Sequence, residues 1–298
     1  MLACVPPLVT ALIEVSPPSG IDLGPITLGF YGLGYVVAIA VMLLVSRSEA
    51  RRRGLDPEHV TNAIVVVGIF ALLGARLSHV LGEWDRYAAD PLQVVLPPYS
   101  GLGLYGGIIG AAIGIWVFLR GKDIPLGRAL DVVVPGTLLA QGIARWGNFF
   151  NQELYGPPTE QAWGITIDCA HRVAQYPCAT YPFESTGFHP LFFYESVLTI
   201  VGGLIALALA RRFGHRLLDG DLASFWMVWY GTVRLVLESF REGWNWTVAG
   251  VPAAMIVGAV LIAVGVGTVV WRHGWPRPQG TPPDSPRAQE PRSGAQRR

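Results

Sequence analysis

The sequence predicts an all-α polytopic membrane protein with seven transmembrane helices. Of its 298 residues, 51% are hydrophobic and only 14% are charged, whereas roughly a quarter of the residues of an ordinary soluble domain are charged. The apolar residues also fall into seven stretches of about span length. A spanning helix needs roughly 20 mainly apolar residues, because hydrocarbon cannot satisfy exposed backbone groups. The predicted spans are residues 27–46, 60–82, 103–120, 130–150, 190–213, 221–240 and 249–271.

The basic residues of the connections predict the orientation of these spans. They follow the first, third and fifth predicted spans, and further ones lie in the C-terminal tail. Because arginine and lysine accumulate on cytoplasmic loops, this alternation predicts an N-terminus outside and a C-terminus in the cytoplasm. The residues concerned are Arg47, Arg51, Arg52, Arg53, Arg120, Lys122, Arg128, Arg211, Arg212 and Arg216.

Two parts of the chain are expected to lie outside the spans. Residues 151–189, between predicted spans four and five, are long and polar enough to form a small extracytoplasmic cap. Cys169 and Cys178 both fall in this cap, where they either form a disulfide or remain free thiols. Residues 274–298 lack apolar periodicity and are predicted to be a disordered cytoplasmic tail. Residues 1–273 are therefore expected to form one membrane domain, cap included.

The six arginines outside the basic connections and the tail need a separate explanation. Arg86 and Arg172 fall in outward connections, and the other four lie in or at the edge of spans. An arginine near the middle of a span costs about 2.5–3.5 kcal/mol, so it usually faces a wet or functional interior. The alternative is that each one reaches the interface and pairs with a glutamate. The four are Arg76, Arg145, Arg234 and Arg241.

The sixth predicted span carries a polar stripe. Tyr230, Arg234, Glu238 and Arg241 recur at intervals of four, four and three residues, a spacing that puts them on one face of a helix. Glu238 can pair with only part of two guanidinium groups, which leaves donors for an anion. Guanidinium suits phosphate because it binds in a bidentate manner. A self-contained Arg-Glu-Arg ladder is the structural alternative.

The end of the fourth predicted span is dense in polar groups. The block from 142 to 156 contains Arg145, Asn148, Glu153 and Gly156. Arg145 and Asn148 are three residues apart and therefore share a helical face, while the glycines permit close approach of backbone or ligand. Packing alone would not call for so many hydrogen-bonding groups, so this block indicates a binding site at the outward interface.

The same block resembles the signature of the prolipoprotein diacylglyceryl transferase family, and the resemblance runs from about residue 24 to 272. Its further motifs are Phe30-Tyr31-Gly32, Gly74-Ala75-Arg76, Gly106-Gly107, His189-Pro190, Tyr194-Glu195, Tyr230-Gly231 and Arg234 through Glu238 to Arg241. The resemblance implies transfer of a diacylglyceryl group from phosphatidylglycerol to the lipobox cysteine thiol of a prolipoprotein, with release of glycerol phosphate. It implies a multi-pass protein of the bacterial plasma (inner) membrane, whose partners are this lipid, the prolipoprotein signal peptide and membrane lipids, with no nucleic acid.

The resemblance, together with the arginine pattern, assigns roles to the polar residues. Arg145 and Arg234 are expected to be catalytic, because they hold the phosphate and stabilise the charge that grows on it as the carbon to oxygen bond breaks. No metal or cofactor is expected, since metal-ligand spacings such as HExxH are absent and the six histidines are scattered. The residues expected to bind phosphatidylglycerol with these arginines are Arg241, Tyr31, Asn148, Glu153, Gly156, Tyr230 and Glu238.

The third predicted span departs from the family pattern at one position. The family commonly has histidine before the paired glycines, where this chain has Tyr105 before Gly106 and Gly107. Tyr105 is expected to be catalytic, either as a base activated by neighbouring cations or by orienting substrate through a hydrogen bond. His189 is a second candidate base. The arginines could also acidify the substrate thiol directly.

Two other functional classes fit the buried arginines. An organic-anion transporter or channel also lines its pathway with such residues, although the sequence shows no internal repeat of the kind that many transporters have. The other class is a scaffold that recruits lipoprotein precursors without chemistry.

Overall fold

The computed structural model describes residues 12–14, 16–24, 27–94, 101–241 and 247–274, which form a mainly helical membrane protein. Each of the seven spans predicted from the sequence overlaps one long helix. These helices are α1 (Phe30–Arg52), α2 (Pro57–Gly82), α4 (Leu104–Leu119), α5 (Leu126–Phe150), α6 (Leu191–Phe213), α7 (Asp221–Glu238) and α8 (Ala253–Gly274).

The long helices differ in how apolar they are. Helices α1, α2, α6 and α8 are long and apolar enough to cross a membrane, and α4 is apolar but shorter, with 16 residues. Helices α5 and α7 are less apolar because they carry charged side chains, among them Asp131 and Arg145 on α5 and Arg234 and Glu238 on α7. The charged groups of α5 and α7 therefore need partners or a function, as do the single buried carboxylates of the more apolar helices, Glu49 on α1 and Glu195 on α6.

Shorter elements occupy the connections. Helix α3 (Trp84–Ala89), which the apolar pattern does not predict, follows α2. Of the predicted tail 274–298, Gly274 is the last residue of α8 and the rest lies outside the described residues. Three antiparallel strand pairs are β1 (Gly20–Asp22) with β2 (Thr27–Gly29), β3 (Pro158–Thr159) with β4 (Gly187–Phe188), and β5 (Thr247–Val248) with β6 (Val251–Pro252).

Helix α4 packs along α2 through a row of small residues. Gly106, Gly110 and Gly114 are buried and recur at every fourth position. A Cβ atom added at Gly110 would lie 2.1 Å from the carbonyl oxygen of Phe70, so only glycine allows these backbones to approach this closely. The other extensive helix contacts join α1 to α5, α5 to α6, and α7 to α8.

Residues 151–189, called the cap below, connect α5 to α6 and contain the β3–β4 pair. The apolar core of the cap includes Tyr155 and Phe188, and Cys169 and Cys178 are joined by a disulfide. The sequence left open whether these cysteines form a disulfide or remain free thiols, and the structure shows the disulfide. The disulfide closes a short loop within the cap, which follows α5 and leads into α6.

Arg172 is a structural residue of the cap. Its guanidinium lies 4.4 Å from the centre of the Phe188 ring, and its Nε donates to the carbonyl oxygen of Ile167 at 2.6 Å. Burial lowers the pKa of the Arg172 guanidinium and raises the pKa of the Tyr155 hydroxyl. Tyr155 therefore stays protonated at neutral pH, where its hydroxyl donates to the carbonyl oxygen of His171 at 3.2 Å.

Asp131 fixes the start of α7 at the end of the bundle remote from the cap. Its carboxylate is only 1% exposed, and it accepts hydrogen bonds from the backbone N–H groups of Gly220 at 2.8 Å and Ala223 at 3.0 Å. Arg53, just beyond α1, lies 3.5 Å from the same carboxylate. Because a helix N-terminus leaves backbone donors unsatisfied, a carboxylate from α5 caps α7, and Arg53 balances its charge.

Replacing Asp131 with alanine should lower the free energy of unfolding by about 2–4 kcal/mol, because two buried N–H groups and the Arg53 charge lose their acceptor. The measurement is the midpoint of thermal unfolding in detergent, followed by helical content. Asp123→Ala is the matched control, since Asp123 is exposed between α4 and α5 and surface substitutions usually stay within about 0.5 kcal/mol. Equal midpoints for the two variants would contradict the capping role.

Candidate active site

Five charged side chains form a continuous ladder across α5, α6 and α7. Arg145 Nη2 on α5 donates to Glu195 Oε1 on α6 at 2.7 Å, and Arg234 Nη1 on α7 lies 3.7 Å from Glu195 Oε2. Arg234 Nη2 also donates to Glu238 Oε2 at 2.6 Å. Arg241 Nη1 lies 3.8 Å from Glu238 Oε1. These five residues are called the arginine ladder below.

The arginine ladder has a surplus of positive charge. Its three guanidinium groups face two carboxylates, which leaves one net positive charge. Both carboxylates are buried, Glu195 to the point of 1% exposure, whereas the side chains of Arg145 and Arg241 are 24% and 36% exposed. The accessible part of the ladder is thus cationic, which suits it to bind an anion.

Glu195 is the member of the ladder that the sequence analysis named in a family motif, Tyr194-Glu195, but did not include among the expected site residues. The pairing of Arg234 and Arg241 with Glu238, expected as the structural alternative, is present, and Glu195 extends it to Arg145. Periodicity could not find Glu195, because it is a single carboxylate in the apolar run of α6. Glu195 could have been found from the cost of placing a carboxylate inside a span, because such a group needs a cationic partner.

Tyr230 supports the first arginine of the ladder. Its side chain interacts electrostatically with Arg145 and Arg234, and its ring stacks on that of Trp226 with 5.4 Å between centroids. The predicted stripe of Tyr230, Arg234 and Glu238 therefore occupies one face of α7, and this face meets Arg145 of α5 and Glu195 of α6.

Tyr31 of α1 lies close to Arg145 of the arginine ladder. A Cβ atom added at Gly147 would lie 2.9 Å from Cδ2 of Tyr31, so the absence of a side chain on α5 makes room for the tyrosine ring. The Tyr31 hydroxyl lies 3.3 Å from that of Tyr35, and it interacts electrostatically with Glu153 and Arg145. The structure thus brings Tyr31 together with the arginine predicted to hold phosphate.

Asn148 and Glu153 are joined to each other at the end of α5, while Gly156 lies farther into the cap. Asn148 Nδ2 donates to Glu153 Oε1 at 2.7 Å; Asn148 is buried and Glu153 is exposed. The N–H of Gly156 donates to the carbonyl oxygen of His189 at 2.8 Å, and a Cβ atom there would lie 3.1 Å from Cγ of Leu191. Gly156 therefore permits close packing between the cap and the start of α6.

Tyr105 begins α4, which is not one of the three helices that carry the arginine ladder. Helix α4 packs along α2, and the Tyr105 ring is 53% exposed. The structure therefore places Tyr105 on a separate pair of helices, and its role in a reaction stays a prediction.

His189 belongs to a hydrogen-bonded group at the base of the cap. Its Nδ1 lies 3.0 Å from the Tyr194 hydroxyl, and that hydroxyl accepts a hydrogen bond from Trp163 Nε1 at 2.7 Å. With Trp163 as donor, the hydroxyl proton is free to point at Nδ1, which then serves as an acceptor within the protein. This arrangement favours a structural role for His189 over that of a catalytic base.

Arg76 anchors a connection and is not part of the arginine ladder. Its Nε donates to the carbonyl oxygen of Val94 at 3.1 Å, and its Nη2 donates to that of Gln93 at 2.6 Å. Of the four arginines that the sequence placed in spans, three therefore meet in the ladder and Arg76 holds the segment between α2 and α4.

Replacing Glu195 with alanine should destabilise the protein by about 3–5 kcal/mol, because two partly buried guanidinium groups lose the carboxylate between them. Thermal unfolding in detergent measures the change. Glu160→Ala is the control, since Glu160 is an exposed glutamate of the cap. A midpoint for Glu195→Ala that matches the control would show that the ladder does not depend on Glu195.

Comparison with known proteins identifies the family. A family model described as prolipoprotein diacylglyceryl transferase matches residues 18–271. The phosphatidylglycerol–prolipoprotein diacylglyceryl transferase of Chloroflexus aggregans is 40% identical over 225 residues, which is 73% of each chain. That of Synechococcus elongatus is 35% identical over 274 residues, covering 90% of this chain and 91% of the relative. That of Streptococcus sanguinis is 30% identical, covering 86% and 95%.

These matches confirm the resemblance found in the sequence motifs, and they give no support to an organic-anion transporter. The chain belongs to the prolipoprotein diacylglyceryl transferase family.

Proposed function

We propose that this protein transfers the diacylglyceryl group of phosphatidylglycerol to the lipobox cysteine thiol of a prolipoprotein and releases glycerol phosphate. The names of its relatives contain both substrates, phosphatidylglycerol and prolipoprotein. Because the nucleophile comes with the prolipoprotein, the protein's own tasks are to hold the lipid, stabilise the leaving group and admit the thiol.

The observation that carries the proposal is the sharing of the buried Glu195 by Arg145 and Arg234. Each guanidinium has five N–H donors in a planar fork, and its contacts with carboxylates use only some of them. The remaining donors, on α5 and α7, are available to phosphate oxygens, whose geometry a guanidinium fork suits. Arg241 adds a third cation, held by Glu238.

The reaction is a substitution at carbon. The thiol sulfur attacks the glyceryl carbon that bears the phosphate ester, a carbon to sulfur bond forms, and the carbon to oxygen bond breaks. The electron pair of the broken bond stays on the phosphate oxygen, so negative charge grows there. Guanidinium groups already fixed by Glu195 and Glu238 stabilise that charge without reorganising, which is the most effective form of electrostatic catalysis.

The other site residues would orient the two substrates. Tyr31 at the start of α1, with Asn148 and Glu153 at the cap end of α5, would contact the head group or the thiol, while Tyr230 would help to position Arg145. Tyr105 would orient the substrate or accept the thiol proton from its position on α4. Cations beside the thiol also favour its ionised form, which lessens the need for a strong base.

The proposal includes a seven-span protein of the bacterial plasma (inner) membrane with its N-terminus outside. The cap disulfide supports this orientation, because disulfides persist on the oxidising side of that membrane. The arginine ladder includes Arg145, which lies near the cap end of α5. The site would therefore open to the outer side, where a secreted precursor presents its lipobox.

An apolar cavity offers a place for acyl chains. It has a volume of about 360 Å³ and lies among α1, α2, α4 and α5. Thr137 of its wall precedes Arg145 by eight residues, which corresponds to about 12 Å along a helix. An acyl chain attached to a head group at Arg145 would need to extend at least this far to reach the cavity, because the other wall residues of α5, from Ala129 to Val133, lie farther from Arg145.

Purified protein incubated with phosphatidylglycerol and a lipobox peptide should release glycerol phosphate in equal amount to a peptide thioether. The control is the same peptide with serine in place of its cysteine, which should give neither product. Mass spectrometry of the peptide and enzymatic detection of glycerol phosphate measure the two products. The absence of both would overturn the assignment, and binding of the peptide without product would favour a scaffold.

Arg145→Ala and Arg234→Ala should each lower kcat by about 10²–10³, because each removes fixed donors from the developing phosphate charge. Arg86→Ala should remain active, since Arg86 lies outside the ladder, with its guanidinium 5.6 Å from the Tyr87 ring centre. Unfolding midpoints measured in parallel separate loss of turnover from loss of fold. Similar turnover in all three folded variants would refute the phosphate role.

A further inference from the structure

The turn that ends α5 contains a residue in an unfavourable backbone conformation. The N–H of Gln152 donates to the carbonyl oxygen of Phe149 at 3.1 Å, and that of Glu153 donates to Asn148 at 2.9 Å. These are the two bonds of a Schellman motif, in which the residue at the position of Gln152 is left-handed and is commonly glycine. Gln152 has φ +49°, a conformation that a side chain adopts only where the surroundings compensate for it.

The compensation comes from Asp168 of the cap. The Gln152 side chain is buried, with its residue 5% exposed. Its Nε2 donates to Asp168 Oδ2 at 2.5 Å, and its Oε1 accepts from the Asp168 backbone N–H at 2.7 Å. Two bonds of opposite direction fix both the position and the rotation of the amide. The pair is called the Gln152–Asp168 clamp below.

The clamp also reaches the segment that precedes α1. Ser16 Oγ donates to Asp168 Oδ1 at 2.9 Å, so the two oxygens of one carboxylate serve different parts of the chain. Ile13 of the same segment pairs with Ile165 of the cap. The turn after α5, the cap and the entry to α1 therefore meet at Asp168.

The clamp constrains the position of the Glu153 carboxylate. Glu153 directly follows Gln152 and precedes Leu154, which is also left-handed with φ +59°. Its carboxylate accepts from Asn148 Nδ2 at 2.7 Å and interacts electrostatically with Tyr31. Since φ of residue 152 sets the direction in which the chain leaves the helix, the clamp holds the Glu153 carboxylate against Asn148 and near Tyr31.

We propose that Gln152 and Asp168 are positioning residues, which act on the reaction through Glu153 and Asn148. The catalytic consequence rests on the proposed function, whereas the effect of the clamp on the turn does not. The competing interpretation is that Gln152 is an ordinary helix stop, for which glycine would serve equally well or better.

A pair of charge-changing variants tests the clamp. Gln152→Glu keeps the length of the side chain but sets a carboxylate against Asp168, so kcat should fall about tenfold or more. Asp168→Asn keeps an acceptor for Gln152 and should stay within about twofold of the parent protein. In the double variant the amide introduced at position 168 can donate to the new carboxylate, so kcat should return to within about threefold of the parent.

Two further variants separate the clamp from backbone strain and from surface charge. Gln152→Gly relaxes the left-handed backbone but deletes the clamp, so it should retain its unfolding midpoint within a few degrees and still lose kcat about tenfold. Gln161→Glu makes the same chemical change at an exposed site of the cap and should be neutral. Full activity of a folded Gln152→Gly variant would overturn the proposal.

Hydrogen exchange measured by mass spectrometry provides a readout that needs no turnover. Peptides covering residues 148–156 should exchange faster in Gln152→Glu and return to the parent rate in the double variant. This measurement decides on the clamp even if the parent protein shows no transferase activity, an outcome that would overturn the proposed function separately. Parent-like exchange in Gln152→Glu overturns the clamp, and a loss of kcat that Asp168→Asn fails to rescue overturns the positioning role.

Discussion

The buried carboxylate of Glu195 is the constraint on which the arrangement of the site depends. A carboxylate within an apolar helix is stable only when cations and hydrogen bonds replace its water. Glu195 obtains a cation and a hydrogen bond from Arg145 of α5, and a second cation, 3.7 Å away, from Arg234 of α7. This pairing constrains α5, α6 and α7 to pack so that Arg145, Glu195 and Arg234 come into contact. The same requirement that satisfies the charge brings two guanidinium groups close together.

Helix α5 connects this site with the rest of the bundle. Near its start, Asp131 caps α7, and near its end, Arg145 enters the ladder that includes α7 again. Polar contacts therefore link α5 and α7 near both of their ends. These contacts fix the shift of one helix along the other as well as the distance between them. The contact between α2 and α4 depends more on shape, through the row of glycines at 106, 110 and 114.

The sequence predicted the long helices and several of the residues that the structure brings together around the arginine ladder, but not the contacts that join distant segments. Apolar run length located each long helix, and helical spacing put Tyr230, Arg234 and Glu238 on one face. Glu195 escaped that reasoning because a single charge has no period, and its partners lie 50 and 39 residues away in the chain. The pairing of Gln152 with Asp168 likewise depends on how the cap folds back.

The charge of the arginine ladder bears on the identity of the proton acceptor. With three arginines and two glutamates the ladder has one positive charge in excess, which the single negative charge of a phosphodiester would balance. Breaking the ester bond adds a second negative charge to the phosphate, while the thiol gives up one proton. A phosphate monoester has its second pKa near 6 in water, close enough to neutral for the leaving phosphate to accept a proton. Transfer of the thiol proton to that phosphate would keep the occupied ladder neutral, so the charge balance of the ladder does not require a histidine at the position of Tyr105.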